Sequence, residues 1–205
     1  MSEEPLAVNH HADHPGFAGV TGTLFAWAFL LIGHETGRLA AELTDVGPAD
    51  VVVDIGCGAG NAVRAAARRG ARATGVDPSS AMLRMARAVT RRRNAVTWVE
   101  GSAESLPLPD GSATVVWALA TVHHWRDVGA ALAEIRRVLA PGGRILALEK
   151  QTQPGATGRA SHGWTAQQAE SFAALCRSTG MVEVEVKSTH AGRRAVWAVG
   201  GRLPS

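Results

Sequence analysis

The sequence predicts an α/β fold: a doubly wound, mostly parallel sheet of seven strands, with an antiparallel C-terminal hairpin strand and an N-terminal helical cap. Three observations lead there. From residue 51 onward, short β-branched or apolar runs alternate with stretches of helix length, the pattern of parallel strands covered by helices on both faces. The first run, Val51-Val52-Val53-Asp54-Ile55, is closed by glycines before an Ala/Arg-rich stretch, which opens a βα unit. The last two runs are joined instead by a short turn containing Gly192, the signature of a hairpin.

The elements follow in order. Residues 1–20 carry Pro5, Pro15, Gly16 and Gly19 with His10, His11 and His14, and show no helical or strand period: a turn-rich arm. A helical pattern runs from about Thr23 to Leu43 and is ended by Gly47-Pro48. Strands are expected at 51–55, 72–76, 95–100, 114–118, 144–149, 182–187 and 194–199, and helices at 62–69, 79–92, 127–139 and 165–178. We expect a single domain over residues 1–205, its arm and first helix (1–46) lying over the active site of a core at 51–200.

Composition narrows the function classes. At 205 residues, 46% hydrophobic and 19% charged, the chain suits an ordinary globular domain, not a disordered one. The net charge is +3, but the arginines are scattered, and Arg91-Arg92-Arg93 suits a helix C-terminus, so no nucleic-acid partner is expected. Cys57 and Cys176 are far apart and form neither a disulfide framework nor a metal knuckle, which points to the reducing cytoplasm. The longest apolar stretch, Leu24 to Ile32, is too short to cross a bilayer and follows Glu3, Glu4 and Asp13, so neither a signal peptide nor a membrane partner is expected.

The segment Val53-Asp54-Ile55-Gly56-Cys57-Gly58-Ala59-Gly60-Asn61 carries the most chemistry. Glycines at the C-terminal end of a strand let backbone approach a ligand where any Cβ would collide. Asp77, ending the next strand, is placed to accept hydrogen bonds from both hydroxyls of a ribose; its other reading is a plain N-cap, a role open to Ser79 as well. A dinucleotide site would have its third glycine where Asn61 stands, and Asp54 so near the loop opposes a pyrophosphate while suiting a cationic amino group. An NAD(P)-dependent oxidoreductase is therefore the lesser alternative.

Five segments in register resemble the class I S-adenosylmethionine-dependent methyltransferases, in particular the small-molecule branch of the ubiquinone/menaquinone-biosynthesis type. They are VDIGCGAGN (53–61), GVDPSSAML (75–83), GSAESLPLPDGS (101–112), VVWALATVHHW (115–125) and RRVLAPGGRILALE (136–149). The resemblance implies a Rossmann-like fold, S-adenosyl-L-methionine as cofactor and methyl transfer to a small-molecule acceptor. It further implies that Gly56, Cys57, Gly58 and Gly60 line the methionine part, Asp54 orients its amino group and Asp77 holds the ribose. Pro78, Ser79 and Met82 would lie near the adenine, with Ser102, Ala103 and Glu104 at its edge, and Ala118 and Leu119 against the methionyl chain. Ser102 stands where the family usually has Asp, and Ala113-Thr114 replace its Phe-Asp.

A sulfonium methyl is already activated, so the protein needs chiefly to align the acceptor and exclude water. For an oxygen or nitrogen acceptor a base near neutral pKa helps, and His123 and His124, after the fourth strand, are the candidate catalytic residues. Packing and capping is their other reading. His11, His14 and His34 are candidates for the substrate wall, as are Trp125 and Trp164, which follow strand ends. No metal site is expected, since adjacent histidines in an arm lack fixed geometry. A module that binds S-adenosylmethionine or S-adenosylhomocysteine without catalysis is the remaining alternative, and the oligomeric state is left open.

Overall fold

In β1 (Val51–Ile55), Val53 and Ile55 join one apolar cluster and Val52 another, so the strand is covered on both faces. The structure is a computed structural model describing residues 34–90 and 95–205, and in it this strand lies in the interior of a seven-stranded sheet whose edge strands, β3 and β6, are partly exposed. The other strands are β2 (Arg72–Asp77), β3 (Val96–Glu100), β4 (Ala113–Leu119), β5 (Leu139–Lys150), β6 (Val182–Ala191) and β7 (Arg194–Arg202). Their order is β3-β2-β1-β4-β5-β7-β6: the first five are parallel, and β7 runs antiparallel to both neighbours. The chain turns back between β1 and β4, and at such a switch point a crevice opens beyond the C-terminal strand ends.

Helices α1 (His34–Leu43), α2 (Asn61–Arg68) and α3 (Ser80–Val89) contribute Ala40, Ala41, Val63, Ala66 and Leu83 to the cluster on the Val52 face. Gly37 lets α1 and α2 touch, since a Cβ there would lie 2.8 Å from the Ala62 Cα. On the other face, α4 (Val128–Val138) and α5 (Ala166–Ser178) bury Leu132, Ile135, Phe172 and Cys176 against Val53 and Ile55. Polar ties fix the end of the sheet opposite the crevice. Arg144 donates to the Thr44 carbonyl (2.7 Å) and to both carboxylate oxygens of Asp50 (3.1 Å each), and the buried Trp117 indole donates to Thr44 Oγ1 (3.2 Å).

Each expected strand is present, with two instructive differences. β5 begins at Leu139 rather than 144, because Leu139 already pairs with Ala113 and Gly142, at φ 72°, carries the intervening residues out of register before Arg144 pairs with Val115. The hairpin strands are longer than their apolar runs, since backbone pairing continues through polar residues to the turn at Gly192. Of the helix expected over 23–43, His34–Leu43 falls within the described residues, while Arg91, Arg92 and Arg93 lie outside them.

Candidate functional site

β1 leads directly into the glycine loop, where Gly56, Gly58 and Gly60 all have positive φ (69°, 51° and 79°). The loop is anchored to the neighbouring strand by Gly56 and Cys57, whose N–H groups donate to the Val76 carbonyl (2.8 and 3.1 Å). The three glycines do different work. A Cβ on Gly56 would strike the Thr121 side chain, and one on Gly60 would strike the Trp98 ring, so both are dictated by packing. Gly58 has nothing within 4 Å of that position and faces open space, which makes it the glycine exposed to a ligand.

Asp77 closes β2 against this loop. One carboxylate oxygen accepts from Gly58 N (2.8 Å) and the other from Ser79 N (2.8 Å). Ser79 itself caps α3, its Oγ accepting from Met82 N (3.4 Å), so the capping role falls to Ser79 and Asp77 is left to hold the loop. Each Asp77 oxygen retains a lone pair for a further donor. Burial raises the Asp77 pKa, opposed by the N–H groups of Ser79 and Gly58.

Asp54 is only 3% exposed, and its carboxylate receives no hydrogen bond from any described residue. Burial, then the charge of Asp77, push its pKa up to about 8. A buried carboxylate without a donor, facing a second carboxylate across a glycine loop, is a site completed by a cation. An α-ammonium group fits it, and a pyrophosphate does not.

Other expected contacts sort differently. Pro78 is exposed, Met82 is buried in α3, and Ser102 pairs with Ser105 in an isolated bridge. Glu104 has one oxygen engaged, accepting from Arg126 N (2.8 Å) and Asp127 N (3.4 Å) and tying down the loop before α4. Ala103 packs beside Ile55 and Val76, and Ala118 is fully buried between β1 and β5, so both are core residues, while Leu119 is half-buried. Trp125 and Trp164 are corrected likewise. Their rings pack against Phe172 (centroids 6.4 and 4.9 Å), and Trp164 has no exposed surface, so they support the floor instead of lining a substrate wall. His34 is exposed at the start of α1, whose Glu35 lies against Gly192 in the β6–β7 turn; His11 and His14 lie outside the described residues.

The acceptor end begins just after β4. Ala120 takes φ 55°, unusual for a residue with a Cβ, and this sharp turn sets Thr121 over Gly56 before the 3-10 turn Val122–His124. Glu149, 1% exposed near the end of β5, organises that turn. Its Oε1 accepts from Val122 N (2.8 Å) and His123 N (3.4 Å), and its Oε2 lies 2.9 Å from His123 Nδ1. A third imidazole arrives from the segment after β5, which folds back through Trp164 N to the Lys150 carbonyl and Thr152 N to the Trp164 carbonyl (2.8 Å each). His162 thereby lies with its ring centroid 5.5 Å from that of His123 and 5.9 Å from that of His124. Sequence reasoning missed Glu149 and His162. Glu149 did leave a signal: a carboxylate ending the apolar run Ile145–Leu148 at the ligand-binding edge of the sheet.

A doubly wound sheet with this loop and two carboxylates suits a nucleoside cofactor carrying a cationic group, and comparisons with known proteins point to methyltransferases. Residues 53–147 match the family described as methyltransferase domain. The chain is 34% identical to the demethylmenaquinone methyltransferase of Tropheryma whipplei (strain Twist) over 112 residues, 55% of this chain and 46% of that protein. It is 34% identical to the malonyl-[acyl-carrier protein] O-methyltransferase of Serratia marcescens over 146 residues, 71% of this chain and 55% of that protein. The chain thus spans about half the length of these curated relatives. A SAM-dependent methyltransferase structure from Aquifex aeolicus shares the fold with a TM-score of 0.70, at 14% identity, over 83% of this chain and 92% of that one. The chain thus resembles S-adenosylmethionine-dependent methyltransferases, in sequence over residues 53–147 and in fold.

Proposed function

We propose that the protein transfers a methyl group from S-adenosylmethionine to a small-molecule acceptor by in-line displacement. The observation that carries the reading is Asp54: a buried carboxylate with no donor among the described residues, beside Asp77 and the open Gly58, in the matched domain. Asp54 would hold the cofactor's ammonium group, Asp77 its ribose hydroxyls, and the backbone at Gly58 its methionyl chain. Bound there, the cofactor supplies a sulfonium methyl whose S–C bond breaks as the acceptor bonds to carbon, the electron pair returning to sulfur.

His123 stands where the acceptor would approach, separated from the glycine loop by Thr121, and its Nδ1 faces Glu149. With the Glu149 carboxylate as acceptor, the ring proton sits on Nδ1 and Nε2 keeps its lone pair for the acceptor's proton. A small acceptor is supported by the names of the quinone and acyl-carrier methyltransferases that the chain resembles. The same reading makes residues 51–200 the cofactor core, with no nucleic-acid partner. It places the protein in the cytoplasm, supported by two cysteines that are buried and unpaired. Among the described residues no helix is long and apolar enough to cross a membrane.

The test is calorimetric titration with S-adenosylmethionine, S-adenosylhomocysteine and NAD(P)H, followed by S-adenosylhomocysteine formation over a panel of quinols, phenols and carboxylates. Saturable binding of the first two alone, with turnover of one acceptor, is expected. Binding without turnover of any acceptor would favour a non-catalytic cofactor-binding module, and binding of the nicotinamide alone would overturn the reading.

A further inference from the structure

We infer that His123, His124 and His162 form a three-imidazole site for a divalent transition metal of the zinc class, with Glu149 as the carboxylate behind His123. One ring nitrogen from each histidine lies within 4.8 Å of one from each of the others. Tetrahedral coordination at bonds of about 2.0–2.1 Å needs nitrogens roughly 3.3 Å apart, so small side-chain rotations close the set. His124 is exposed and the other two are half-buried, so the cluster is reached by solvent, which can supply a fourth ligand. Three protein nitrogens with an open position are the donor set of a catalytic zinc site.

Glu149 supplies the second observation. Imidazoles that bind metals commonly donate their other N–H to a carboxylate, which fixes the tautomer and raises ligand basicity. At His123 that arrangement is already built: Nδ1 faces Glu149 Oε2 at 2.9 Å, and Glu149 is held by the N–H groups of Val122 and His123. Nε2 is then the nitrogen available to a metal. The ligands come from two segments, and the return of the second is fixed at Gly163, where a Cβ would collide with the Lys150 carbonyl. Neutral imidazole suits zinc, cobalt, nickel and copper in the divalent state, and the borderline-soft zinc ion tolerates this open geometry.

The site's use in methyl transfer rests on the reading given above, that this cluster faces the acceptor. A metal held by the three imidazoles would take an acceptor oxygen as its fourth ligand and favour that oxygen's deprotonated form. Coordination and proton acceptance by His123 exclude each other, since both use the Nε2 lone pair.

The experiment titrates the untagged full chain, stripped with chelator, with Zn2+ by calorimetry and with Co2+ by visible absorption. The expected result is one equivalent of Zn2+ and a tetrahedral Co2+ spectrum. His162→Ala should lower Zn2+ affinity tenfold or more, and Glu149→Gln should lower it about 10–100-fold, with S-adenosylmethionine affinity reporting that both variants are folded. A triple variant at His10, His11 and His14 should bind Zn2+ as the parent does. Absence of Zn2+ binding, or binding lost in the triple variant and kept by His162→Ala, would overturn the inference. Loss of S-adenosylmethionine binding with Zn2+ binding intact would instead overturn the cofactor reading alone.

Discussion

His123 Nδ1 lies 2.9 Å from an oxygen of Glu149, a carboxylate whose side chain has no solvent exposure. The same carboxylate accepts the N–H groups of Val122 and His123, so one side chain from β5 sets both the backbone of the turn after β4 and the orientation of its imidazole. Truncation and isosteric replacement should therefore differ. Glu149→Ala strands three buried or half-buried donors and should cost about 1–3 kcal/mol of stability, read as a melting temperature lowered by several degrees. Glu149→Gln keeps an oxygen for the backbone donors but cannot accept at both positions. It should melt close to the parent while slowing turnover. Equal melting temperatures for Ala and Gln would refute the turn-organising role.

Asp54 makes a signed prediction about pH. Its folded pKa is about 8 against an ordinary 3.8, so between those values the cofactor-free folded chain holds a proton that the unfolded chain has lost. Stability from this group is complete below the unfolded value, falls as pH rises, and is gone above about 8. Asp54→Asn should leave melting near pH 4 almost unchanged and raise the melting temperature of the cofactor-free protein near about pH 8.5. An ammonium group binding beside Asp54 favours its ionised form, so cofactor binding near neutral pH should release a proton. Calorimetry in buffers of different ionisation enthalpy measures that release, and the Asn variant should lack it.

Asp77→Ala removes the acceptor proposed for the ribose hydroxyls and the anchor of Gly58. S-adenosylmethionine affinity should fall by about 1 kcal/mol or more, a factor of roughly five or more in titration. Unchanged affinity would mean that the ribose lies elsewhere.

His123→Ala should slow methyl transfer to the identified acceptor by about 100-fold or more if the imidazole handles the acceptor's proton. Cofactor affinity should be spared, because Thr121 separates the turn from the glycine loop. A parallel loss of both would make His123 a cofactor contact.

Gly56→Ala tests the close approach of loop and turn. The left-handed backbone costs a Cβ-bearing residue about 1–2 kcal/mol, and the new methyl meets Thr121. Adding Thr121→Gly should recover part of the lost melting temperature, and additivity of the two losses would show that the residues are uncoupled.

The class of fold and the presence of each strand were readable from local pattern. β-branched runs at 51–55 and 114–118, a glycine turn at 56–60 and Asp77 closing the next run each report on their own neighbourhood, because backbone preference and apolar periodicity act over a few residues. What local pattern leaves open is which face a side chain shows and which distant side chain it meets. Ala103, Ala118, Trp125 and Trp164 sit in matching motifs or at strand ends, yet helix packing closes over them. Glu104 turned to the α4 loop for the same reason. Only the adjacency of β4 and β5 brings Glu149 under His123, and only the return of the chain onto Lys150 adds His162. Residues that far apart in sequence meet because parallel strands are joined by long crossovers, so a site shared by two strand ends is written by packing between them and not by spacing along the chain.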